Sequence, residues 1–264
     1  MRIALFTGNQ PRHLALVERL AGVCDELFVV HECTTVFPGK VADLYRRSEV
    51  MQRYFHAVLA AERTVFGGPR FAPGGVRPLL LRLGDLSDLP IGALAPALDA
   101  DVFVVFGASY IRGALCDRLV TRRALNLHMG ISPYYRGSST NFWAMYDRRP
   151  EFVGATIHLL TAGLDSGPIL RHVFPPSRPF DAFELGMRAV ESGQRALAEL
   201  VAGGEWSTMQ PVPQDRARQI RYTRTADFTD AVAAEYLARL PGPEDVARAL
   251  VSRDLGLFVD PVVG

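Results

Sequence analysis

Asp101-Val102-Phe103-Val104-Val105-Phe106, closed by Gly107, is the stretch from which the fold is read. After Asp101 it is continuously apolar, as a strand covered on both faces of a parallel sheet has to be. It stops at a glycine, a strong local punctuator. Working outward, residues 3–6 form a shorter apolar run ending at Thr7-Gly8-Asn9, a first buried strand with its turn. Leu14, Leu16, Val17 and Leu20 then recur at helical spacing, and residues 27–30 read as a second strand. Strand, helix and strand in that order open an α/β domain with a parallel sheet. Beyond Gly107, residues 111–119 read as a short helix and 124–128 as the next strand. Ligands of open α/β sheets bind beyond the carboxyl ends of such strands. Gly107 and the pair Asn126 and His128 fall at two of those ends.

The remaining chain fits the same plan. Residues 41–66 are a long helical stretch, and 94–98 are helical in pattern. Residues 76–81 suit a strand, but Pro78 cannot donate to a ladder, which makes it an edge or irregular one. Residues 154–160 and 168–174 read as two strands joined by a loop that holds Asp165. Residues 183–201 are an amphipathic helix ended by Gly203-Gly204. Beyond 205 the pattern thins: Pro211 and Pro213 mark a loop, and 231–240 and 245–251 suggest two short helices. The expected organisation is a catalytic domain over 1–205 and a small, mainly helical extension over 206–264.

Bulk composition limits the function. The 264 residues, 48% hydrophobic and 22% charged, suit one large domain, or one with a small appendage. With 29 basic and 28 acidic residues the net charge is +1, so nucleic acid and acidic membrane surfaces are not expected partners. A small phosphorylated ligand stays open, because a local arginine cluster would suffice. Cys24, Cys33 and Cys116 form no CxxC, and an odd, scattered set argues against a disulfide framework. The N-terminus lacks the apolar stretch and cleavage site of a signal peptide. No apolar run approaches the roughly 20 residues that span a bilayer. A soluble cytoplasmic protein is expected. No metal-ligand spacing is present.

The chemistry gathers in residues 126–169. Asn126 and His128 are two apart, so on an extended backbone both side chains point to one face. The segments Asn126-Leu127-His128, Pro133-Tyr134-Tyr135-Arg136-Gly137, Gly154-Ala155-Thr156-Ile157-His158 and Asp165-Ser166-Gly167-Pro168-Ile169 stand in that order. Together they resemble the core pattern of the folate-dependent formyltransferases, enzymes that move a formyl group from 10-formyltetrahydrofolate to an amine. The family includes glycinamide ribonucleotide, methionyl-tRNA and sugar-nucleotide N-formyltransferases. The resemblance covers roughly residues 1–205. It implies a Rossmann-like, mostly parallel sheet flanked by helices, with Asn126, His128 and Asp165 at the reacting centre.

The side chains suit that reaction. Formyl transfer to an amine passes through a tetrahedral carbon bearing an oxyanion. The Asn126 amide is expected to donate to that oxygen, and such a donor is worth roughly 3–4 kcal/mol. His128 suits proton transfer or further oxyanion stabilisation, and Asp165 can orient the imidazole. His158 is expected to be structural, packed or hydrogen-bonded beside the site.

By resemblance, the folate pteridine is gripped by Phe106, Gly107, Ala108, Ser109, Tyr110 and Ile111, and by Thr161, Ala162, Gly163 and Leu164. Asn9, Gln10 and Arg12 beyond the first strand, with Tyr135 and Arg136, are candidates for the acceptor. Arg46, Arg47 and Arg53 on the long helix could meet a phosphate or simply form a solvated face. Two departures touch the acceptor side. Thr140-Asn141-Phe142 precedes Trp143 where many relatives carry a proline, and Ser132 stands where relatives often have leucine.

The expected acceptor is a small-molecule amine. An amino sugar nucleotide comes first, and an amino-acid-derived or other specialised amine next. A tRNA acceptor is disfavoured, since residues 206–264 lack the look of a basic C-terminal barrel. A homodimer is left open. The rival readings are a formyltetrahydrofolate hydrolase, which usually carries an additional N-terminal domain, and a non-catalytic folate-binding protein. A dinucleotide oxidoreductase is disfavoured, because no G-x-G-x-x-G follows the first strand.

Overall fold

Alternate residues of the first strand serve two different cores, and this sets the layering. The computed structural model describes residues 1–33 and 47–264. It begins with β1 (Arg2–Thr7), α1 (Pro11–Ala21) and β2 (Glu26–Cys33), then α2 (Glu49–Phe66) and β3 (Val76–Arg82). Next come α3 (Ala95–Leu98), β4 (Val102–Phe106), α4 (Gly113–Thr121) and β5 (Leu125–His128). β6 (Tyr135–Gly137), α5 (Thr140–Tyr146), β7 (Ala155–Leu159), β8 (Ile169–Phe174) and α6 (Ala182–Gly203) follow. The C-terminal part holds β9 (Arg221–Thr223), α7 (Asp230–Ala238), α8 (Pro243–Val251) and β10 (Val262–Val263).

Ile3 and Leu5 pack with Leu16 and Leu20 of α1 and Leu197 of α6 on one face of the sheet. Ala4 and Phe6 pack with Phe103 and with Leu115 and Leu119 of α4 on the other. Each fully buried side chain of this kind contributes about 1.5–3 kcal/mol, so a strand apolar at every position is used on both sides. The sheet order is β10-β8-β7-β5-β4-β1-β2-β3. β1 is parallel to β2 and β4, and β4 to β5, whereas β7 is antiparallel to both β5 and β8. The expected mostly parallel sheet flanked by helices is the observed architecture. β3, with Pro78, lies at the sheet edge, the position in a sheet where proline is tolerated.

The long helix begins at Glu49, where the Ser48 hydroxyl accepts from the Met51 N–H, a serine N-cap. The part of the expected helix at 41–46, including Arg46, lies outside the described residues. α6 starts at Asp181, whose carboxylate accepts from the Phe183 and Glu184 N–H groups, and it ends at Gly204 with φ +71°. α7 and α8 match the two helices expected near the C-terminus. Two strands there were not expected: β9 pairs with β6, and β10 adds to the main sheet beside β8. Tyr236, Val246, Leu250 and Phe258 from this part enter an aromatic core with Tyr54 and Phe142. No helix among the described residues is long and apolar enough to cross a membrane.

Candidate active site

Leu125 and Leu127 enter the core beneath α6. By strand alternation, Asn126 and His128 share the other face. Because β7 runs antiparallel to β5, its register sets His158 opposite Asn126. Asn126 Nδ2 lies 2.9 Å from His158 Nε2 and 3.1 Å from Asp165 Oδ1. His158 Nδ1 is 2.8 Å from the Leu159 carbonyl. A carbonyl only accepts, so Nδ1 carries the proton and Nε2 accepts from Asn126. His158 is 1% exposed, and its part is to hold the Asn126 amide.

Asp165 stands in the loop between β7 and β8, with Oδ2 3.3 Å from His128 Nδ1. Its φ of +44° is in the left-handed region, which a side chain seldom adopts unless the surroundings hold it there. Gln214, from the stretch after α6, supplies that hold. Its Nε2 donates to the carbonyls of Asp165 and Gly167, both at 2.8 Å. Gly167 allows the turn to close, since a Cβ there would sit 1.7 Å from the Leu159 carbonyl oxygen.

Burial lowers the His128 pKa from its ordinary value. The Asp165 charge opposes this, and His158 and Arg136 add to the lowering. The imidazole is therefore neutral near pH 7. Burial pushes the Asp165 pKa upward, but the neighbouring imidazoles and the Asn126 amide outweigh it, so this carboxyl stays ionised below the usual range. With an ionised carboxylate against Nδ1, the His128 proton resides on Nδ1 and Nε2 presents a lone pair. That Nε2 is buried without a hydrogen-bond partner, and His128 lines a cavity. Among the described residues no cluster of His, Cys, Asp and Glu could hold a metal ion.

The cavity, of about 440 Å³, opens beyond the carboxyl ends of β4 and β5. Of the residues expected at the folate, Phe106, Gly107, Ala108 and Leu164 line it, beside Asp165. Gly107 has φ +66°, and a Cβ there would meet His13 Nε2 at 2.5 Å. Ser109, Tyr110, Ile111, Thr161, Ala162 and Gly163 are not among the lining residues. The Ser109 N–H and hydroxyl both bond to the buried Glu32 carboxylate. Ile111 is 5% exposed in the core, and the Thr161 and Ser166 hydroxyls share a hydrogen bond of 3.1 Å. The Tyr110 hydroxyl donates to the Ala162 carbonyl at 2.5 Å, tying the two expected folate loops together.

On the acceptor side, Arg12 lines the cavity, whereas Asn9 and Gln10 do not. Asn9 is exposed, and the Gln10 N–H donates to His13 Nδ1. Tyr135 needs correction as an acceptor residue. Its ring is 1% exposed in the aromatic core and its hydroxyl donates to Asp147. Arg136 also stays outside the lining. It lies over the Tyr222 ring and donates to Gln219 at 3.3 Å. Arg53 is exposed, away from the cavity, and Arg47 lies over the Phe55 ring. Gly137, Thr140 and Phe142 do line the cavity, so the departing loop faces it.

Sequence reasoning missed Gln214 altogether, along with the apolar wall of Tyr54, Val58, Phe183, Met187 and Tyr236. The i, i+4 pairs Tyr54/Val58 and Phe183/Met187 were visible, but as core stripes of amphipathic helices.

Residues 86–197 match the family model described as formyl transferase. The matched segment contains Asn126, His128 and Asp165. The chain is 30% identical over 153 residues to methionyl-tRNA formyltransferase of Synechococcus sp. (strain JA-3-3Ab), covering 58% of this chain and 44% of that protein. It is 35% identical over 131 residues to methionyl-tRNA formyltransferase of Anaeromyxobacter dehalogenans, covering 48% and 42%. The chain therefore spans under half the length of these relatives. Among solved structures, a sugar N-formyltransferase from a Shewanella species superposes with TM-score 0.53 at 15% identity, covering 86% of this chain and 78% of that one. An N-formyltransferase from Helicobacter canadensis, solved with folinic acid and dTDP-3-aminofucose, gives TM-score 0.51 at 13% identity, covering 89% and 79%. Those two likenesses establish a shared fold.

Proposed function

We propose that this protein transfers a formyl group from 10-formyltetrahydrofolate to the amine of a small molecule, with Asn126, His128 and Asp165 at the reacting centre. The observation that carries the reading is His128 in the cavity wall, with Asp165 against its Nδ1 and its Nε2 buried without a hydrogen-bond partner. His128 Nε2 takes the proton from the attacking amine. The resulting imidazolium, stabilised by Asp165, returns it to the departing folate nitrogen. Tetrahydrofolate and a formamide are the products.

Asn126 is the stabiliser of the oxyanion in this reading, but both its N–H groups are already engaged, one by His158 and one by Asp165. One of these bonds must be exchanged for the formyl oxygen as the donor binds. The lining by Phe106, Gly107, Ala108 and Leu164 fits the donor: a flat heterocycle needs backbone edges and apolar faces. The formyl transferase family match over residues 86–197 supports the same donor.

The test is turnover of purified protein with 10-formyltetrahydrofolate. Tetrahydrofolate is expected to appear only when a suitable amine is present. The amine should gain about 28 Da, the mass set by acyl transfer to nitrogen. Release at a comparable rate without amine would establish the hydrolase instead. Binding of folinic acid with no turnover under any condition would establish a folate-binding protein.

A further inference from the structure

The cavity continues past the reacting trio into a chamber walled by side chains from four helices. Tyr54 and Val58 come from α2, Phe142 from α5, Phe183 and Met187 from α6, and Tyr236 from α7. The rings brace one another edge to face. Tyr54 and Phe142 centroids are 5.7 Å apart, Tyr54 and Phe183 5.4 Å, and Phe142 and Tyr236 4.8 Å. Such a wall is formed before any ligand arrives and offers mainly apolar surface.

Two polar side chains beside the wall, Asn141 and Thr140, are already committed. The Asn141 side chain bonds both to the Gly154 carbonyl and to the Gly154 N–H. The Thr140 hydroxyl donates to the Met129 carbonyl. Among the described residues, Arg12 is the one cationic side chain that lines the cavity, and Glu62 neutralises it. Arg12 Nη1 lies 2.7 Å from Glu62 Oε1, a carboxylate 2% exposed. A phosphate placed there would have to compete with a buried anion, a costly rearrangement. The neighbouring N-terminus of α1, which could otherwise bind an anion, is closed as well. Pro11 supplies no N–H, and the Gln10 N–H is used by His13.

We infer that the acceptor is a primary amine on an uncharged, largely apolar body without phosphate, seated in this chamber with its nitrogen at His128. The inference rests on the proposed formyl transfer. It reverses the order expected from sequence, in which a nucleotide-linked amino sugar comes first.

The experiment pairs a donor-binding measurement with an acceptor series. Folinic acid binding is measured by titration calorimetry. Turnover is then compared for glycinamide, leucinamide, phenylalaninamide and a dTDP-linked amino sugar, read as tetrahydrofolate release and product mass. The three amides share one kind of α-amine and differ in the apolar group beside it. Phenylalaninamide and leucinamide are expected to exceed both glycinamide and the dTDP-linked sugar at least 100-fold in kcat/KM. Met187→Arg and, separately, Val58→Arg are expected to raise KM for phenylalaninamide at least tenfold, with folinic acid affinity unchanged. Folinic acid binding with turnover confined to the dTDP-linked sugar would overturn this inference and leave formyl transfer standing. So would two folded variants with unchanged KM, or bound donor with no turnover of any amine in the series. Failure to bind folinic acid would overturn the proposed formyl transfer and this inference with it.

Discussion

The Gln214 side chain holds the backbone of Asp165, donating from one nitrogen to the carbonyls of Asp165 and Gly167 at 2.8 Å each. The two residues are 49 apart in sequence. Asp165 sits at φ +44°, a conformation that its neighbours must enforce. Gln214→Ala removes the donor to two carbonyls, so the loop should relax and carry the carboxylate away from His128. Displacements of this kind cost on the order of 10–100-fold in rate. Gln214→Glu should be worse, because it faces two carbonyl oxygens with an acceptor. Steady-state kinetics of both variants, with thermal melts as a folding control, check this. Equal activity of wild type and Gln214→Glu would show that the brace has no bearing on catalysis.

The proposed proton transfer by His128 implies a definite pH profile. Burial lowers its pKa below the ordinary value near 6.5, and the working form is neutral. The acid limb of kcat/KM should therefore fall below pH 6.5, with activity lost as pH drops through the folded value. Among the interactions that shift this group, Asp165 is the one that raises its pKa. Asp165→Asn should move the limb to still lower pH while reducing the plateau. His128→Ala should cost about 10²–10⁴-fold, the usual contribution of a positioned general base. A limb unmoved in Asp165→Asn would mean that another group titrates.

Legibility in the sequence followed burial and range. β1 and β4 could be read because both faces of each are covered, leaving unbroken apolar runs at Ile3–Phe6 and Val102–Phe106. Asn126, His128 and Asp165 could be read because a family pattern spans them. β6 could not. Its three residues pair with Arg221–Thr223, far along the chain, and the pairing turns Tyr135 into core. The antiparallel direction of β7 was equally hidden, although it is what sets His158 against Asn126. Gln214 follows Pro211 and Pro213, in a segment without periodicity. Only the folded path brings it to Asp165.

Tyr110 offers a test of the donor loops apart from the chemistry. Its ring is half exposed, and its hydroxyl joins Ala162 across the two loops expected to hold the folate. Tyr110→Phe loses one hydrogen bond of about 1 kcal/mol, with little core to disturb. Folinic acid affinity should fall roughly fivefold, since 1.4 kcal/mol corresponds to tenfold. The melting temperature should stay close to wild type. Calorimetric titration of both proteins decides it, and unchanged affinity would separate this contact from donor binding.

His172 links acid stability to the segment that leads into the C-terminal strand. Its Nε2 lies 2.7 Å from the Ser132 carbonyl and its Nδ1 accepts the Val259 N–H at 2.9 Å. The first contact requires a proton on Nε2 and the second a bare Nδ1, so a second proton has no acceptor. Burial lowers its pKa to about 4, against the bond to Ser132, which raises it. The unfolded chain protonates this histidine near pH 6.5. Between those values the unfolded state holds more protons, so stability should decline as pH falls from about 6.5 to about 4 and level off for this group below that. The full contribution is about 3 kcal/mol, at 1.36 kcal/mol per unit. Urea unfolding from pH 7.5 to 4.5 should show this slope, and His172→Gln should show a shallower one. Equal slopes in the two proteins would assign the acid sensitivity to other groups, His13 first, whose pKa burial lowers to about 3.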